Sequence, residues 1–387
     1  MIDYRMISWP QIAFVGLLTM GFFLAAGCSD DPGSTDDSED TGVEFDIGDS
    51  SDAESPEQNT TNGAEDAGAD EDDVGPTADA ETGPDENDDN GATDGLYVGT
   101  GDPYEPGELS VTGREVDDGP AELEGLLVIT PDEPGEYPVA VYQHGFLMAN
   151  THYQDLLEHV ASHGFVVVAP QMYEAGSLMG APSTEEEAQL ASELYDWIAT
   201  DLDDQVDVDA RVDRLGIAGH SRGAKVSWWS LGEDPRPLDA LAGVDPVDGT
   251  GGPLDNEPRV LDDPVDIDAP VLLIGTGLGS ESPSGFEPEC APEGDNYEAF
   301  FAASSAPAWQ VLAPEYGHLD MLDDDPEGCG FECTACVDGE SRQPMRTLTA
   351  GLLVALFRGG LQGDDSSFDA LSDESAAPVN VEIESKP

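Results

Sequence analysis

Basic residues are the scarcest feature of this 387-residue chain, which has 12 Lys and Arg against 84 Asp and Glu. Only two lysines occur, Lys225 and Lys386. The formal net charge of −72 excludes general binding to nucleic acid, because phosphate backbones repel such a surface. Two explanations of the acidity stay open: a salt-adapted source whose counterions screen the repulsion, or acidity that serves solubility alone.

A long apolar run occurs near the start of the chain. Residues 12–26 are almost continuously apolar, Arg5 precedes them, and residues 24–28 read LAAGC. Small residues before a cysteine resemble a bacterial lipoprotein signal, which predicts cleavage of residues 1–27 and lipid attachment at Cys28. An ordinary signal peptide and a short anchor helix are the alternatives. We therefore expect an exported lipoprotein of the cell envelope, and Ser29 favours anchoring to an outer membrane.

The next segment lacks basic residues altogether. Residues 29–95 contain no Lys or Arg and are crowded with Asp, Glu, Gly, Ser, Thr and Pro. Such a composition offers little apolar surface to offset the entropy of ordering. We interpret residues 28–95 as a disordered, self-repelling tether between a membrane anchor and a folded domain.

Cysteines are few as well. Besides Cys28, the chain has Cys290, Cys329, Cys333 and Cys336. An even number in an exported domain predicts two disulfides, and all three pairings stay open. The spacing of Cys333 and Cys336, a C-x-x-C pair, also suggests zinc, but a four-cysteine zinc site usually has two such pairs. We therefore predict disulfides and expect no metal.

Strand and helix patterns alternate from residue 96 to about 363. Short β-rich runs at 126–130, 139–144, 165–169, 215–218, 240–244, 271–274 and 309–313 alternate with helical patterns. This alternation predicts an α/β fold with a mostly parallel sheet and helices on both faces. Residues 364–387 are polar, and we expect them to be a disordered tail.

The sequence GHSRG at 219–223 follows an apolar run and precedes a helical pattern. This is the nucleophile elbow G-x-S-x-G in its required context, a strand, a tight turn and a helix. It predicts Ser221 as the nucleophile. It also explains the glycines at 219 and 223, because larger side chains there would collide with neighbouring backbone. Arg222 is then the first residue of the helix, and its backbone amide can donate a hydrogen bond to an oxyanion.

A serine nucleophile needs a base, and six histidines are available: His144, His152, His159, His163, His220 and His318. His318 comes after the last predicted strand, where an α/β hydrolase places its base. We expect His220 to pack beside the turn and His144 to be structural. The other three belong to a predicted surface helix.

The base in turn needs an orienting acid. Asp245 ends the strand that follows the elbow helix and is our choice. Asp248, Glu281 and Asp320 are the rivals, because stray carboxylates are abundant in this chain. The strand at 271–274, after which the acid commonly comes, is followed by a loop without Asp.

The loop after the strand at 139–144 is the expected source of a second oxyanion donor. Gly145 permits close approach there, and the amide of Phe146 is the candidate. Apolar residues near the motifs are candidates for an acyl or alcohol pocket, although each is individually more typical of a core. They are Leu147, Met148, Met172, Tyr173, Leu178, Met179 and Trp228.

Several runs together are similar to the chlorophyllase family: HGF at 144–146, VASHGFVVVAPQ at 160–171, GHSRG at 219–223, GVDPV at 243–247, GHLDMLDD at 317–324 and SRQPMR at 341–346. The resemblance covers about 120–363 and implies an α/β-hydrolase fold. It also implies Ser221, Asp245 and His318 as catalytic triad, and a serine esterase that cleaves the phytyl ester of chlorophyll. It does not extend to the signal or the tether.

We therefore predict a lipid-anchored carboxylic-ester hydrolase without cofactor, acting on a small or polymeric apolar ester. A monomer is expected, with the membrane contacted through the lipid on Cys28. A polyester-, lipid- or dienelactone-hydrolase-like esterase is the alternative within hydrolases. A non-catalytic surface-binding lipoprotein is the alternative from another class.

Overall fold

The computed structural model describes residues 95–177, 181–249, 257–263, 265–284 and 287–387. The predicted signal peptide and residues 28–94 of the predicted tether, Cys28 among them, lie outside the described residues, as do Leu178 and Met179. None of the helices within the described ranges is long and apolar enough to span a bilayer.

The strands, numbered in chain order, are β1 Val111–Glu115, β2 Gly125–Pro131, β3 Glu136–Gln143, β4 Val166–Gln171, β5 Asp209–His220, β6 Ala240–Val244, β7 Val271–Thr276, β8 Ala308–Ala313 and β9 Glu382–Lys386. The α-helices are α1 Gln154–Ser162, α2 Thr184–Thr200, α3 Leu202–Gln205, α4 Arg222–Glu233, α5 Tyr297–Ala303 and α6 Arg342–Leu361. Short 3₁₀ helices cover Asn150–Tyr153, Val260–Asp262, Phe331–Thr334 and Asp365–Ser372.

All the strands in the described residues belong to one sheet, in the order β1-β2-β4-β3-β5-β6-β7-β8-β9. Strands β4, β3, β5, β6, β7 and β8 run parallel to their neighbours in this order. The outer pairs, β1 with β2, β2 with β4 and β8 with β9, are antiparallel. The central strands are buried on both faces, which explains why they are short continuous apolar runs. The predicted α/β-hydrolase fold is confirmed.

Helices cover both faces of the sheet. Helices α1 and α6 contribute to the apolar core on one face, and α2, α4 and α5 to the core on the other. Helix α2 begins at a capping box, in which Ser183 and Glu186 each bond the other's backbone amide. The parallel strands therefore end at one edge of the sheet, where the loops that follow β3, β5, β6 and β8 come together.

The prediction of a disordered tail after residue 363 is wrong. Phe368 stacks on Trp309 of β8 with ring centroids 5.2 Å apart, and Leu371 is fully buried. Ile383 of β9 pairs with Val311 of β8. Lys386, one of the two lysines, donates to the backbone carbonyl of Ser304 at 2.8 Å. A few well-placed apolar side chains order a segment that is polar on average, because they cover β8 and α6.

Two disulfides are present in the described part of the chain, as the cysteine count predicted. Cys290 is bonded to Cys336 and Cys329 to Cys333. Cys333 and Cys336 thus belong to different pairs and do not form a shared metal hook.

Removing the Cys290–Cys336 bridge should destabilise the domain strongly. The bridge closes a loop of 46 residues. Chain-entropy arguments give about 4 kcal/mol for a loop of this length. We expect the double variant Cys290→Ser/Cys336→Ser to lose about that much in free energy of unfolding, measured by urea denaturation. A loss below about 1 kcal/mol would show that the bridge hardly restricts the unfolded chain.

Candidate active site

The elbow places Ser221 between β5 and α4 in a strained conformation, with φ of 54° and ψ of −121°. A Cβ at Gly219 would approach the carbonyl carbon of Gly223 to 2.5 Å, and one at Gly223 would approach the carbonyl oxygen of Gln143 to 2.4 Å. Only glycine fits both positions, as the motif predicted. The turn therefore raises the hydroxyl above the carboxyl edge of the sheet.

The structure brings the three predicted side chains together. His318 Nε2 lies 2.9 Å from Ser221 Oγ, and His318 Nδ1 lies 2.7 Å from Asp245 Oδ2. All three residues are at least nine-tenths buried. A hydroxyl, an imidazole and a carboxylate in this line form the arrangement that activates a serine.

Asp245, which follows β6, is held in place by the end of the neighbouring strand β7. Its Oδ1 accepts from the Thr276 amide at 3.0 Å, and its Oδ2 accepts from the Thr276 hydroxyl at 2.7 Å. Thr276 is the last residue of β7, the strand after which an α/β hydrolase commonly has its acid. In this chain the end of that strand supplies the hydrogen-bond donors that hold Asp245. Asp245 itself has a φ of 40°. The strain at this residue is a cost that the surrounding hydrogen bonds offset.

Two of the rival acids have other tasks. Asp248 accepts the amides of Val260 and Leu261 and lies 3.5 Å from Lys225 Nζ. Asp320 Oδ2 accepts the amides of Gly317 and Gly339. Asp248 and Asp320 therefore each hold a loop by accepting backbone amides. Asp245, by contrast, contacts the His318 ring.

The loop after β3 offers an oxyanion donor where one was expected. The amides of Gly145, Leu147 and Met148 donate to Tyr153 Oη, Tyr173 Oη and the Gly145 carbonyl. No hydrogen bond of the Phe146 amide occurs within the described residues. A polar group left unpaired in an ordered loop is available to a substrate. Leu147 next to it has a φ of 64°, a third strained residue at this edge.

A buried chain of hydrogen bonds, called the relay below, joins the oxyanion loop to the loop of the base. The sequence did not reveal it. The Gly145 amide donates to Tyr153 Oη at 3.0 Å, and Tyr153 Oη lies 2.7 Å from His220 Nδ1. His220 Nε2 lies 2.8 Å from the backbone oxygen of His318. His220 thus packs beside the turn as predicted and also links it to the loop of the base. Burial lowers the pKa of His220 well below its usual value, so that its ring is neutral.

Replacing Tyr153 by Phe should weaken both stability and catalysis. The change removes one hydroxyl and leaves a buried amide and a ring nitrogen unpaired, which costs about 1–3 kcal/mol. We also expect kcat for an aryl ester to fall about tenfold, because small displacements of catalytic groups are costly. Urea denaturation and steady-state kinetics measure the two effects.

Tyr142 provides the matched control for this variant. Its ring packs against that of Tyr153 with centroids 5.1 Å apart, and its buried hydroxyl has no hydrogen-bond partner among the described residues. Tyr142→Phe should therefore leave kcat unchanged and cost little stability. Equal behaviour of the two variants would mean that the relay has no positioning role.

Arg222 attaches the oxyanion loop to α2. Its Nε donates to Glu187 Oε1 at 2.6 Å and its Nη2 to the Pro182 carbonyl at 2.6 Å. Its guanidinium lies 5.2 Å from the centroid of the Phe146 ring, within range of a cation–π contact. Glu187 is buried, and burial raises its pKa to about 7 although Arg222 acts in the opposite direction.

The raised pKa of Glu187 predicts how stability depends on pH. The folded state holds the proton up to about pH 7, whereas the unfolded chain releases it near 4.5. Stability is therefore lost as pH rises through this window, by about 3 kcal/mol at 1.36 kcal/mol per pKa unit. Glu187→Gln should remove this part of the decline in urea denaturation.

Glu186→Gln is the neighbouring control for the pH measurement. Hydrogen bonds to Ser183 lower the pKa of Glu186, so it titrates below the window. This variant should keep the slope of the parent between pH 4.5 and 7. Equal slopes in all three proteins would show that Glu187 is ionised in the folded state throughout.

A cavity of about 690 Å³ opens above Ser221 and His318. Its apolar wall includes Phe146, Leu147, Met148, Val247, Leu319 and Phe331. Glu257, Glu287, Glu289 and Glu332 also line it, with Arg222 and Lys225 nearer the elbow. Leu147 and Met148 thus lie where the pocket was expected.

Three residues predicted for the pocket belong to the core instead. Trp228 packs edge-on against Phe300, with centroids 5.3 Å apart. The Met172 amide donates to His144 Nε2 at 3.1 Å, and the Tyr173 hydroxyl accepts from Leu147 at 2.9 Å. Met172 and Tyr173 support the oxyanion loop from behind because they follow β4, two strands from the elbow.

Among the described residues, one group of side chains has the composition of a metal site. Donor atoms of His152, Cys329 and Cys333 lie within 4.8 Å of one another. None of the three contacts Ser221, Asp245 or His318 in a described hydrogen bond.

Comparison with known proteins gives a consistent result. The family model described as Chlorophyllase matches residues 100–386. Chlorophyllase-2 of Arabidopsis thaliana is 38% identical over 278 residues, 68% of this chain and 86% of that protein. The chloroplastic Chlorophyllase-1 of Citrus unshiu is 34% identical over 271 residues, 66% of this chain and 79% of that protein. Chlorophyllase-1 of Arabidopsis thaliana is 33% identical over 298 residues, 72% and 90% of the two chains.

Proposed function

The chain belongs to the chlorophyllase family of α/β-hydrolase-fold ester hydrolases, and from this we propose that it is a serine carboxylic-ester hydrolase acting on an apolar ester. One observation carries the proposal: Ser221 Oγ, His318 and Asp245 Oδ2 are connected by contacts of 2.9 and 2.7 Å. These contacts support Ser221 as nucleophile, His318 as base and Asp245 as the group that orients the base.

The first half of the reaction forms an acyl-enzyme. Ser221 Oγ attacks the ester carbonyl carbon while its proton passes to His318 Nε2. The amides of Phe146 and Arg222 bind the oxyanion of the tetrahedral intermediate. The C–O bond to the alcohol then breaks, and the alcohol oxygen takes the proton from His318.

The second half releases the acid. Water gives a proton to His318 Nε2 and attacks the acyl carbon, and the new tetrahedral intermediate forms on the same amides. Its collapse returns the proton to Ser221 Oγ and frees the carboxylic acid. Asp245 stabilises the imidazolium in both halves and keeps its Nδ1 protonated.

The cavity supports an apolar, uncharged substrate. Phe146, Leu147 and Phe331 offer apolar contact surface beside the nucleophile. The carboxylates of Glu287, Glu289 and Glu332 would repel an ester that carries a second ionised group. The chlorophyll phytyl ester, triacylglycerols and aromatic polyesters all satisfy this requirement. An ester with an added carboxylate should therefore react more slowly than its neutral analogue.

A substrate panel with an active-site label tests the proposal. The purified chain is treated with a fluorophosphonate, and hydrolysis of chlorophyll a, a triacylglycerol, short aryl esters and an aromatic polyester is followed in high salt. We expect labelling at Ser221 and turnover of at least one neutral ester. A chain that binds these molecules but neither labels nor hydrolyses them would be a surface-binding lipoprotein.

The location of the protein is a separate proposal. The apolar run at 12–26 and the LAAGC sequence at 24–28 support export and lipid attachment at Cys28, with residues 28–95 as tether. The catalytic domain would act as a monomer at an envelope membrane. Metabolic labelling with palmitate should mark the chain and fail with Cys28→Ser. Labelling that persists in the variant would contradict this attachment site.

A further inference from the structure

A cluster of soft ligand atoms lies behind the oxyanion loop. Cys329 Sγ and Cys333 Sγ lie 3.6 and 3.9 Å from His152 Nδ1. The thioether of Met148 lies 3.9 Å from Cys333 Sγ. His152, Cys333 and Met148 are buried, and Cys329 is partly buried. The two sulfurs of the Cys329–Cys333 disulfide, an imidazole and a thioether therefore converge from two distant parts of the chain.

The imidazole already has the form that binds a metal. Its Nδ1 accepts a long hydrogen bond from the Ala149 amide at 3.2 Å, so its proton is on Nε2. The ring also hydrogen-bonds the backbone of Glu327. In metal-binding histidines, the ring nitrogen that does not bind the metal usually donates a hydrogen bond to an acceptor such as a backbone carbonyl, which fixes the orientation of the ring. Binding at Nδ1 would displace one bond only, the one from Ala149.

We propose that His152, Cys329, Cys333 and Met148 form a copper(I) site when the two cysteines are reduced. Thiolate and thioether sulfur are soft ligands that copper(I) prefers, and imidazole suits copper as well. Zinc shares the thiolates and the imidazole but does not usually take thioether sulfur. The thioether within 4 Å of Cys333 Sγ therefore favours copper over zinc.

The site has two mutually exclusive states, because the structure has Cys329 and Cys333 joined as a disulfide. A thiol or dithiol reductant supplies two electrons and two protons to the S–S bond and is itself oxidised to a disulfide. Copper(I) then displaces the two thiol protons without changing its oxidation state. In the reverse direction, a disulfide oxidant takes two electrons from the two thiolates and is itself reduced to thiols, which restores the Cys329–Cys333 bond and releases copper(I).

The site is placed to influence the ester cavity. Met148 lines that cavity and follows Phe146 and Leu147 on the oxyanion loop. Cys333 lies on the 3₁₀ helix Phe331–Thr334, whose Phe331 lines the same cavity and is 74% exposed. Copper bound to both Met148 and Cys333 would join the two cavity walls.

The test compares two chains that each keep a single cysteine pair. One carries Cys28→Ser, Cys290→Ser and Cys336→Ser and retains the proposed ligands. The other carries Cys28→Ser, Cys329→Ser and Cys333→Ser. Both are reduced anaerobically with a phosphine, checked by circular dichroism, and titrated with copper(I) against bicinchoninate. We expect one equivalent in the first chain, bound at least about 100-fold more tightly than in the second.

A second measurement does not depend on the folding of these variants. Cys28→Ser alone, reduced and loaded with one copper(I), is examined by X-ray absorption, with and without His152→Ala. We expect sulfur ligands and one nitrogen ligand, with the nitrogen contribution lost in the His152 variant. Met148→Leu, which conserves volume, should weaken binding by about tenfold.

Several results would overturn the site. These are equal copper affinity in the two single-pair chains, a spectrum without nitrogen, or a Cys329–Cys333 bond that persists in excess phosphine. Stoichiometric zinc in the first chain with no preference for copper(I) would overturn the copper assignment. None of these outcomes affects the proposed esterase, which depends on Ser221.

Discussion

Ser221→Ala should abolish nearly all hydrolysis of a p-nitrophenyl ester, with kcat lower by about 10⁴ to 10⁶. The substitution removes the single oxygen that lies 2.9 Å from His318 Nε2. The amides of Phe146 and Arg222 would remain, so that weak binding of the oxyanion survives. We therefore expect a small residual rate above that of the uncatalysed reaction and a KM close to that of the parent. Steady-state kinetics with a high-purity preparation measures both.

Ser230→Ala is the matched control for the nucleophile. Ser230 lies in α4, the helix that follows Ser221, is also buried, and donates to the Ser227 carbonyl at 3.0 Å. Its replacement also removes one buried serine Oγ but leaves the elbow untouched. This variant should keep the kcat of the parent. Turnover by Ser221→Ala within tenfold of the parent would rule out the proposed mechanism.

The sheet was predictable because its central strands are buried on both faces. Val166–Gln171, Ala240–Val244 and Val271–Thr276 appear in the sequence as short apolar runs between polar loops. The edges of the sheet were not predictable. Strand β1 is largely exposed and β9 alternates weakly, so neither shows an apolar run. Their pairing depends on neighbours that only the folded chain supplies.

The triad was predictable from local patterns, but its support was not. The elbow motif and a late histidine each follow a strand, and strand ends meet at one edge of a parallel sheet. Tyr153, Thr276 and Glu187 act through contacts with residues 31 to 67 positions away. No periodicity or motif marks such residues. The same reason explains why Met172, Tyr173 and Trp228 were wrongly placed in the pocket, since burial alone does not distinguish core from cavity wall.

The scarcity of basic residues takes on meaning in the folded chain. Lys225, Arg346 and Arg358 are more than nine-tenths buried, and Arg222 is held by Glu187. Arg358 donates to the carbonyls of Thr100 and Gly101, which attaches the start of the domain to α6. Several of the few cations thus hold the interior together, while the surface is left with carboxylates. Added salt should therefore stabilise the domain, because it screens the surface and leaves buried pairs largely unaffected.

Asp245→Asn tests the assignment of the acid, which the sequence left open among four carboxylates. An amide in this position would still accept from Thr276 but would no longer stabilise the imidazolium that forms on His318. It also favours the wrong tautomer of the base, so kcat should fall by about 10³ to 10⁴ at pH 7 with little change in KM. Glu281→Gln, at an exposed rival position, should leave kcat unchanged. If the two variants exchanged roles, Asp245 would be a structural residue, and the 2.7 Å contact with His318 would not be the one that orients the base during catalysis.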